Sequence, residues 1–222
     1  MGAQLLEVTN LQVAFGDEII LKGFDFAVAT GDCIGIVGRN GTGKTTFLRA
    51  LSGSIPVRGG RISWLGSDIT RSPAWLRARL GLVHVLEGGR VFQSMTVEEN
   101  LSVGKLYRRG HDAPTMNDIL LQFPFLNDPA IRKRPARTLS GGERIVVTIA
   151  RAAAMSPKVL LLDSPFLGAG PRYRASIAGL LKAWHRTKAV ALVLVDHDLQ
   201  TLSTVCTQIF AVENGLLKEQ VV

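Results

Sequence analysis

The chain has 222 residues, enough to bury a sizeable core as one large domain or two small joined ones. Its formal net charge of +8 suits anionic ligands, nucleic acid or an acidic membrane surface without choosing among them. The mean hydropathy of +0.21 is high, yet no uncharged apolar run reaches the roughly 18 residues that a membrane span needs. Cys33 and Cys206 require no disulfide framework, and without a signal-like N-terminal segment they predict a reducing cytosol.

The first quarter of the chain predicts strands followed by one helix. Alternating apolar and polar residues in "LLEVTNLQVAFGDEIILKGFDFAVATGD" are typical of antiparallel strands with turns, and "CIGIVG" predicts a strand that runs into glycine. The spacing turns helical in "GKTTFLRALSG", where Gly53 is the expected C-terminal cap. "GGRISWLGSDI" predicts a further turn and strand.

Helical spacing dominates the middle of the chain. "MTVEENLSVGKLY" opens with Thr96 ahead of Glu98 and Glu99, a capping-box arrangement, and "MNDILLQFPFL" and "SGGERIVVTIARAAAM" predict more helices. We therefore expect one domain over 1–222, with a helical subdomain at 89–155 inserted into a core formed by 1–88 and 156–222. The basic runs "RKRPAR" and "YRRGH" are expected to be solvated loops.

The last third predicts an α/β arrangement. "KVLLLD" and "AVALVLVDHD" have the continuous apolar character of buried parallel strands, and "RYRASIAGLLKAWHR" between them predicts a helix. "QIFAVENGLLKE" predicts a closing hairpin around Asn214-Gly215.

The segment "GRNGTGKTT" matches the phosphate-loop pattern and lies between a predicted strand and a predicted helix. Its glycines let backbone N–H groups converge on phosphate oxygens, while a lysine and a hydroxyl reach the terminal phosphates and Mg²⁺. The expected binding residues are Gly38, Asn40, Gly41, Gly43, Lys44, Thr45 and Thr46. Asp163, at the end of an apolar strand, is the expected second acid for Mg²⁺. The loop alone leaves GTPases, kinases, helicases and transport ATPases open.

A second anion site is predicted at "LSGGE". Ser140, Gly141 and Gly142 begin a predicted helix, where a hydroxyl, free N–H groups and the positive helix end meet. Ser140 lies 96 residues after Lys44, and two phosphate sites for one ligand would be redundant within one chain.

The phosphate loop, "LSGGE", the "VLLLD" strand and His197 in "VDHDL", in that order, resemble the ATP-binding cassette ATPases over essentially the whole chain. The resemblance implies an α/β fold, with a P-loop NTPase core around a parallel sheet, an antiparallel β subdomain and a helical signature subdomain. It also implies a head-to-tail dimer in which Ser140, Gly141 and Gly142 contact the γ-phosphate held by the partner's phosphate loop.

Further roles follow from the same resemblance. Phe15 matches the aromatic residue that stacks on adenine, although a lone aromatic residue is more often core. His197 matches the histidine that contacts the γ-phosphate. The implied cofactors are ATP and Mg²⁺, and the implied metal-binding residues are Thr45, Asp163 and Glu87, the last standing where most relatives have glutamine.

"LVHVLEGGRVFQSMTVEENL" is similar to the ATP-binding subunits of branched-chain and other hydrophobic amino acid importers, although Leu86 and Gly89 depart from their pattern. That similarity implies transmembrane permease partners and a peripheral position on the cytoplasmic face of the inner or plasma membrane. A groove for a permease helix is expected near Val91, Phe92, Met95 and Val97, which would be unremarkable as core residues too. A DNA-repair cassette would need a long coiled-coil insertion before "LSGGE", so no nucleic-acid partner is expected.

Ser164 stands where the family usually has the glutamate that polarises the attacking water. A serine cannot accept the proton of that water at neutral pH, so Asp163 and Ser164 predict a site that binds ATP and hydrolyses it slowly. Asp196 and Asp198 remain alternative bases. The sequence thus predicts an importer ATPase subunit, preferably paired with a second, different ATPase. The alternatives are a dimerising nucleotide-binding module with little turnover and a non-transport cassette ATPase.

Overall fold

The computed structural model describes residues 2–106, 115–187 and 190–220. The strands, in chain order, are β1 (Gln4–Phe15), β2 (Glu18–Ala29), β3 (Cys33–Val37), β4 (Gly59–Trp64), β5 (Ser67–Asp68), β6 (Leu82–Val85), β7 (Val159–Asp163), β8 (Ala191–Asp196), β9 (Gln208–Glu213) and β10 (Leu216–Gln220). The helices are α1 (Lys44–Leu51), α2 (Ala74–Leu80), α3 (Val97–Leu106), α4 (Met116–Gln122), α5 (Pro129–Lys133), α6 (Gly141–Ala153), α7 (Pro171–Thr187) and α8 (Leu199–Ser203). Two 3₁₀ turns cover Pro124–Asn127 and Ala136–Thr138.

One sheet is antiparallel, with the strand order β2-β1-β4-β5. In β1, buried residues alternate with exposed or half-buried ones over most of the strand, as the sequence pattern predicts. The sequence predicted one strand in "GGRISWLGSDI", whereas the structure has two. Leu65 and Gly66 connect them, and their φ angles of +49° and +81° suit a tight hairpin turn.

The other sheet has six strands in the order β10-β9-β3-β8-β7-β6. β3 pairs in parallel with β8 and β9, and β7 with β6 and β8, while β10 is antiparallel to β9. This confirms the predicted parallel core and closing hairpin. Parallel strands end at the same edge of a sheet, so the segments that follow Val37, Val85, Asp163 and Asp196 meet there.

Strand β7 of the six-stranded sheet is buried on both faces. Leu160 and Leu162 of β7 belong to a core cluster with residues of α6 and α7, whereas Val159 and Leu161 belong to a second cluster with α1 and the antiparallel sheet. The alternation of side chains along a strand sends successive aliphatic residues to opposite cores, which explains why this strand is continuously apolar.

The middle of the chain is helical, as predicted. At the start of α3, the Thr96 N–H donates to Glu99 Oε2 at 2.7 Å and the Glu99 N–H to Thr96 Oγ1 at 3.2 Å, which confirms the capping box. The boundaries proposed for a helical subdomain at 89–155 stay a prediction. No helix in the described ranges is long and apolar enough to cross a membrane.

The basic run "RKRPAR" differs from the solvated loop that was expected. In "RKRPAR", Arg132 Nη1 donates to the carbonyls of Leu126 and Asn127 at 3.1 and 3.0 Å, and Arg134 pairs with Glu143 at 3.2 Å. These arginines therefore tie the loop to its neighbours. "YRRGH" lies outside the described residues.

Helix α2, which the sequence did not predict, carries a buried arginine against the end of α1. Arg77 is 2% exposed and its Nη1 donates to the carbonyl oxygens of Ala50 and Leu51 at 2.9 and 2.7 Å. Burial lowers the pKa of the guanidinium to about 10. The cation thus satisfies carbonyls at the C-terminal end of α1.

Candidate functional site

The turn between β3 and α1 has the shape expected of a phosphate loop. Gly41 and Gly43 have φ angles of +81° and +101°, and Gly43 occupies the N-cap of α1 without a side-chain cap. A Cβ on Gly43 would lie 2.9 Å from Ile20 Cγ2, so glycine is needed on steric as well as conformational grounds. The first N–H groups of α1 are therefore available to an anion.

Lys44 is the first residue of α1 and is only 8% exposed. Its Nζ donates to the carbonyl oxygens of Gly38 and Arg39 at 2.7 and 2.9 Å, so the lysine folds back over its own loop. Burial lowers its pKa, and the carboxylates of Asp196, Asp163 and Glu87 oppose that shift. The carbonyl oxygens of the loop thus accept the hydrogen bonds of the lysine ammonium, and the phosphate oxygens of an anionic ligand could take their place.

Thr45 and Asp163 bring two oxygen donors together. Thr45 Oγ1 donates to Asp163 Oδ1 at 3.1 Å. Asp163 ends β7 and is 2% exposed, and this burial raises its pKa. A hydroxyl and a carboxylate suit Mg²⁺, which prefers oxygen ligands and completes its shell with phosphate and water. Among the described residues, no group of three or more His, Cys, Asp or Glu side chains could hold a metal by itself.

These residues border a cavity of about 510 Å³. Its lining consists of Ile20, Asn40, Gly41, Gly43, Lys44, Thr45, Thr46, Glu87, Ser164, Leu167 and His197. Most of the residues predicted from the sequence thus meet at one place, and Gly38 lines an adjoining cavity of about 700 Å³. Asp163 does not line the cavity itself but accepts the hydrogen bond of Thr45, which does. The sequence did not single out Ile20, whose contact with Gly43 depends on the antiparallel sheet packing against the loop.

Ser164 lies in the wall of this cavity directly after Asp163. Its φ of +46° is in the left-handed region, and its N–H donates to the Val195 carbonyl at 2.9 Å. The backbone is therefore fixed by β8. Among the lining residues, Glu87 is the acid that the cavity presents beside Ser164.

The two alternative bases differ in how many of their oxygens are bonded. Asp196 Oδ1 accepts from the N–H groups of His197 and Asp198 and lies 3.0 Å from His197 Nδ1. Asp196 is 2% exposed, and its Oδ2 is buried without a hydrogen-bond partner among the described residues. Asp198 caps α8 by accepting from the N–H groups of Gln200 and Thr201. Neither aspartate lines the cavity, although His197 does.

Phe15 lies at the end of β1, is 53% exposed and does not line the cavity. Its role in adenine stacking stays a prediction.

The signature turn, defined as Ser140, Gly141 and Gly142, lies at the start of α6 and does not line the cavity. Ser140 Oγ accepts from the Glu143 N–H at 3.3 Å, and Glu143 Oε2 accepts from the Ser140 N–H at 2.7 Å. Arg134 holds the same glutamate at 3.2 Å. Ser140 and Gly141 are exposed while Gly142 is buried. The chain therefore builds a rigid helix start that is not joined to its own phosphate loop.

A separate groove of about 380 Å³ runs between α2, β6 and α6. Trp75 and Phe92, which are 56% and 46% exposed, line it, as does His84. Of the four residues predicted near a permease groove, only Phe92 lines this one. Val97 is fully buried in the core, and Val91 and Met95 do not line the groove.

Comparison with known proteins agrees with this architecture. Residues 21–167 match the family model described as ABC transporter. The chain is 31% identical over 212 residues to the high-affinity branched-chain amino acid transport ATP-binding protein BraG of Pseudomonas aeruginosa, covering 95% of this chain and 90% of that protein. It is 30% identical over 220 residues to the lipopolysaccharide export system ATP-binding protein LptB of Acidithiobacillus ferridurans, covering 96% of this chain and 88% of that protein.

A solved structure of an ATP-binding cassette of an ABC transporter superposes with a TM-score of 0.83 at 25% identity, covering 96% of this chain and 89% of that one. The family match spans both the phosphate loop and the signature turn, and the fold agrees over nearly the full length. The chain belongs to the ABC transporter family, as one of its ATP-binding proteins.

Proposed function

We propose that the chain is the ATP-binding subunit of an importer for branched-chain or other hydrophobic amino acids, and that it couples ATP binding and hydrolysis at a dimer interface to transport. The observation that carries this proposal is that the two predicted anion sites of the chain lie apart. One cavity joins Lys44, Thr45, Glu87 and His197, while the signature turn lies outside it. The similarity to BraG supports an amino acid as the transported solute. The similarity to LptB is nearly equal, so the ATP-binding role has more support than the identity of the solute.

In the proposed site, the N–H groups of α1 and Lys44 hold the phosphates of ATP, and Phe15 stacks on adenine. Thr45, Asp163 and Glu87 hold Mg²⁺, which neutralises charge on the β and γ phosphates when it is bound. His197 contacts the γ-phosphate from the opposite wall. The distance of 3.1 Å between Thr45 Oγ1 and Asp163 Oδ1, and the shared cavity, support this assignment.

The chain's own site is proposed to hydrolyse ATP slowly. Ser164 occupies the wall where a carboxylate would have to accept the proton of the attacking water. Asp198 and one oxygen of Asp196 accept from backbone N–H groups, and neither aspartate lines the cavity. Loss of a general base typically costs about 10² to 10⁴ in rate, whereas binding depends on groups that are all present here.

The signature turn is proposed to complete the site of a second ATPase subunit, preferably a different chain whose own site carries the missing base. Ser140 and Gly141 are exposed at a capped helix start. An N-terminal helix turn presents N–H groups and a positive potential to an anion, and the partner's γ-phosphate provides one.

The groove lined by Trp75 and Phe92 is proposed to receive a helix of a transmembrane permease, which would hold the chain at the cytoplasmic face of the membrane. The two exposed aromatic side chains and the apolar floor fit an amphipathic helix. Arg151, which lies 4.9 Å from the centre of the Phe92 ring, stiffens this edge.

The test is the composition of the assembly purified through a tag on this chain from detergent-extracted membranes. We expect a polytopic permease and two kinds of ATPase subunit, identified by mass spectrometry. Trp75→Glu should remove the permease, whereas Leu121→Glu, at a 78% exposed position on α4 outside the groove, should retain it. Retention of the permease by both variants would reject the groove, and an assembly without any permease would reject the transport proposal.

The same observation at Ser164 supports a second candidate, a module that dimerises with ATP and turns over little. An assembly that contains this ATPase alone, with no permease and no appreciable phosphate release, would favour it.

A further inference from the structure

Two segments that line the chain's own cavity also contact the start of α6, where the signature turn lies. The first segment leads from Ser164 and Leu167, in the cavity wall, into α7. The second continues from Glu87, on another wall of the same cavity, to Gly89. Both segments reach the first turns of α6.

Tyr173, in the first turn of α7, packs directly on Gly142. A Cβ on Gly142 would lie 2.6 Å from Tyr173 Cδ2 and 2.8 Å from its Cγ, so the ring fills the space that any other residue would need. The opposite contact of the ring is Phe125, at 5.9 Å between centroids and an interplanar angle of 89°. The tyrosine is thus wedged between the signature turn and the 3₁₀ turn at Pro124–Asn127.

Gly89 closes the other side of the same helix start. It is buried with a φ of +58°, and a Cβ there would lie 2.8 Å from the Ile145 backbone nitrogen and 3.1 Å from Arg144 Cβ. Glycine therefore allows the segment after Glu87 to touch the backbone of α6 itself.

Since a Cβ would overlap its neighbours at both Gly142 and Gly89, these neighbours pack directly on the glycine backbone. Packed interiors transmit displacement because neighbouring groups cannot move independently without overlap or a void. A shift of either cavity wall on nucleotide binding is therefore passed to the first turn of α6, although that turn does not border the cavity.

We propose that Tyr173 is a positioning residue that sets the signature turn according to the nucleotide in the chain's own cavity, with Gly89 as the opposing contact. The inference rests on the proposed function, because it takes the signature turn to act on ATP held by a second subunit. It assigns a further task to a site with Ser164: ATP that is held there for long keeps the signature turn in place for the partner.

The test uses the chain itself with Mg-ATP, since slow hydrolysis lets an ATP-driven homodimer persist. Dimerisation is measured by sedimentation velocity, and the ATP affinity of the monomer by calorimetry at low protein concentration. We expect Tyr173→Ala to weaken ATP-driven dimerisation about tenfold, a typical size for coupling between two sites. The ATP affinity of the monomer should stay within about twofold, since Tyr173 does not line the cavity.

Tyr173→Phe should behave as the wild type, because no hydrogen bond of the Tyr173 hydroxyl occurs within the described ranges. Leu121→Ala, at an exposed position on α4, is the matched control for loss of a large side chain. Gly142→Ala should weaken dimerisation in the wild-type background and cost much less in the Tyr173→Ala background, because the clashing ring is then gone.

Each outcome separates the two proposals. Equal dimerisation of Tyr173→Ala and the wild type, or additive effects of the two substitutions, would overturn the role of Tyr173 while leaving the dimer intact. A parallel loss of monomer ATP affinity would show general damage and would also overturn it. A wild-type chain that never dimerises with Mg-ATP would reject the trans contact between two copies of this chain. Tyr173→Ala is then compared with the wild type by recovery of the second ATPase subunit in the purified assembly, and equal recovery would overturn the positioning role.

Discussion

Two helices of this chain start from glycine-rich turns, and the two turns are finished in different ways. At α1, no side chain caps the N–H groups, and Lys44 and Asp163 are buried beside them. At α6, Ser140 and Glu143 cap each other, and the serine is exposed. The first turn combines free N–H groups, a lysine and a carboxylate within one chain. The second turn has a capped helix start that does not line the cavity. Two glycine-rich helix starts thus lie in different surroundings, because the fold surrounds one turn and exposes the other.

The largest expected effect is on the rate of ATP hydrolysis at the first turn, with ATP binding unchanged. Ser164→Glu should raise steady-state phosphate release at least about 10²-fold in a homodimer, because a carboxylate can accept the proton of the attacking water. Ser164→Gln matches the size of glutamate without its basicity and should leave turnover low. If glutamate gives no gain in a proven homodimer, Ser164 is not the water-activating position, and Asp196 is the first residue to test.

The phosphate loop itself should depend on its lysine. Lys44→Ala should weaken Mg-ATP binding by about 10- to 100-fold, the worth of a hydrogen bond to a charged group. Isothermal titration calorimetry measures the affinity. Lys158→Ala, at an exposed position before β7 and at the opposite end of that strand, is the control. Unchanged affinity in Lys44→Ala would contradict the assignment of the loop.

A charge at the second turn should affect the other subunit only. Ser140→Asp keeps an N-cap acceptor but places a carboxylate against the partner's γ-phosphate, so ATP-driven dimerisation should fall about tenfold. Ser140→Thr keeps the hydroxyl and should be tolerated. The affinity for ATP at the chain's own loop should not change in either variant, and a comparable loss there would indicate a site within one chain.

The smallest effect concerns the cap of the second turn. Glu143→Ala should lower the free energy of unfolding by about 1 kcal/mol, because the Ser140 N–H loses its acceptor. Urea denaturation measures the change. Glu213→Ala removes an exposed ion pair with Lys218 but no cap, and should cost at most about 0.5 kcal/mol. Equal losses in both variants would mean that the capping box contributes nothing.

Local patterns were enough for much of the fold and most of the cavity. The phosphate loop could be placed because strand, glycines and helix follow one another within a few residues, and the capping box of α3 because its partners are three residues apart. The parallel order of β3, β7 and β8 then gathers their loops at one edge, so Ser164 and His197 reach the cavity without any special signal.

Contacts between distant parts of the chain could not be predicted in this way. The seven residues of α2 carry little helical pattern, and the helix is fixed by Arg77, whose acceptors lie in α1 and the preceding turn. Val97 looked available to a partner, yet it is fully buried within the core. The contact of Tyr173 with Gly142 joins two helix starts that nothing in either local sequence relates.

Arg77, at the C-terminal end of α1, has a consequence for the phosphate loop at the other end of that helix. Arg77 donates to the carbonyls of Ala50, Leu51, Ser72 and Thr70, and so fastens the helix end farthest from the nucleotide to the following segment. The guanidinium also offsets the negative end of the helix dipole at that terminus. Helix α1 is consequently ordered before any ligand arrives, so little conformational entropy is lost when its N-terminus meets an anion. A short helix of eight residues is unstable by itself, so ordering it during binding would reduce the affinity. Because α1 is already ordered, the free energy of its contacts with the anion is not reduced by that cost.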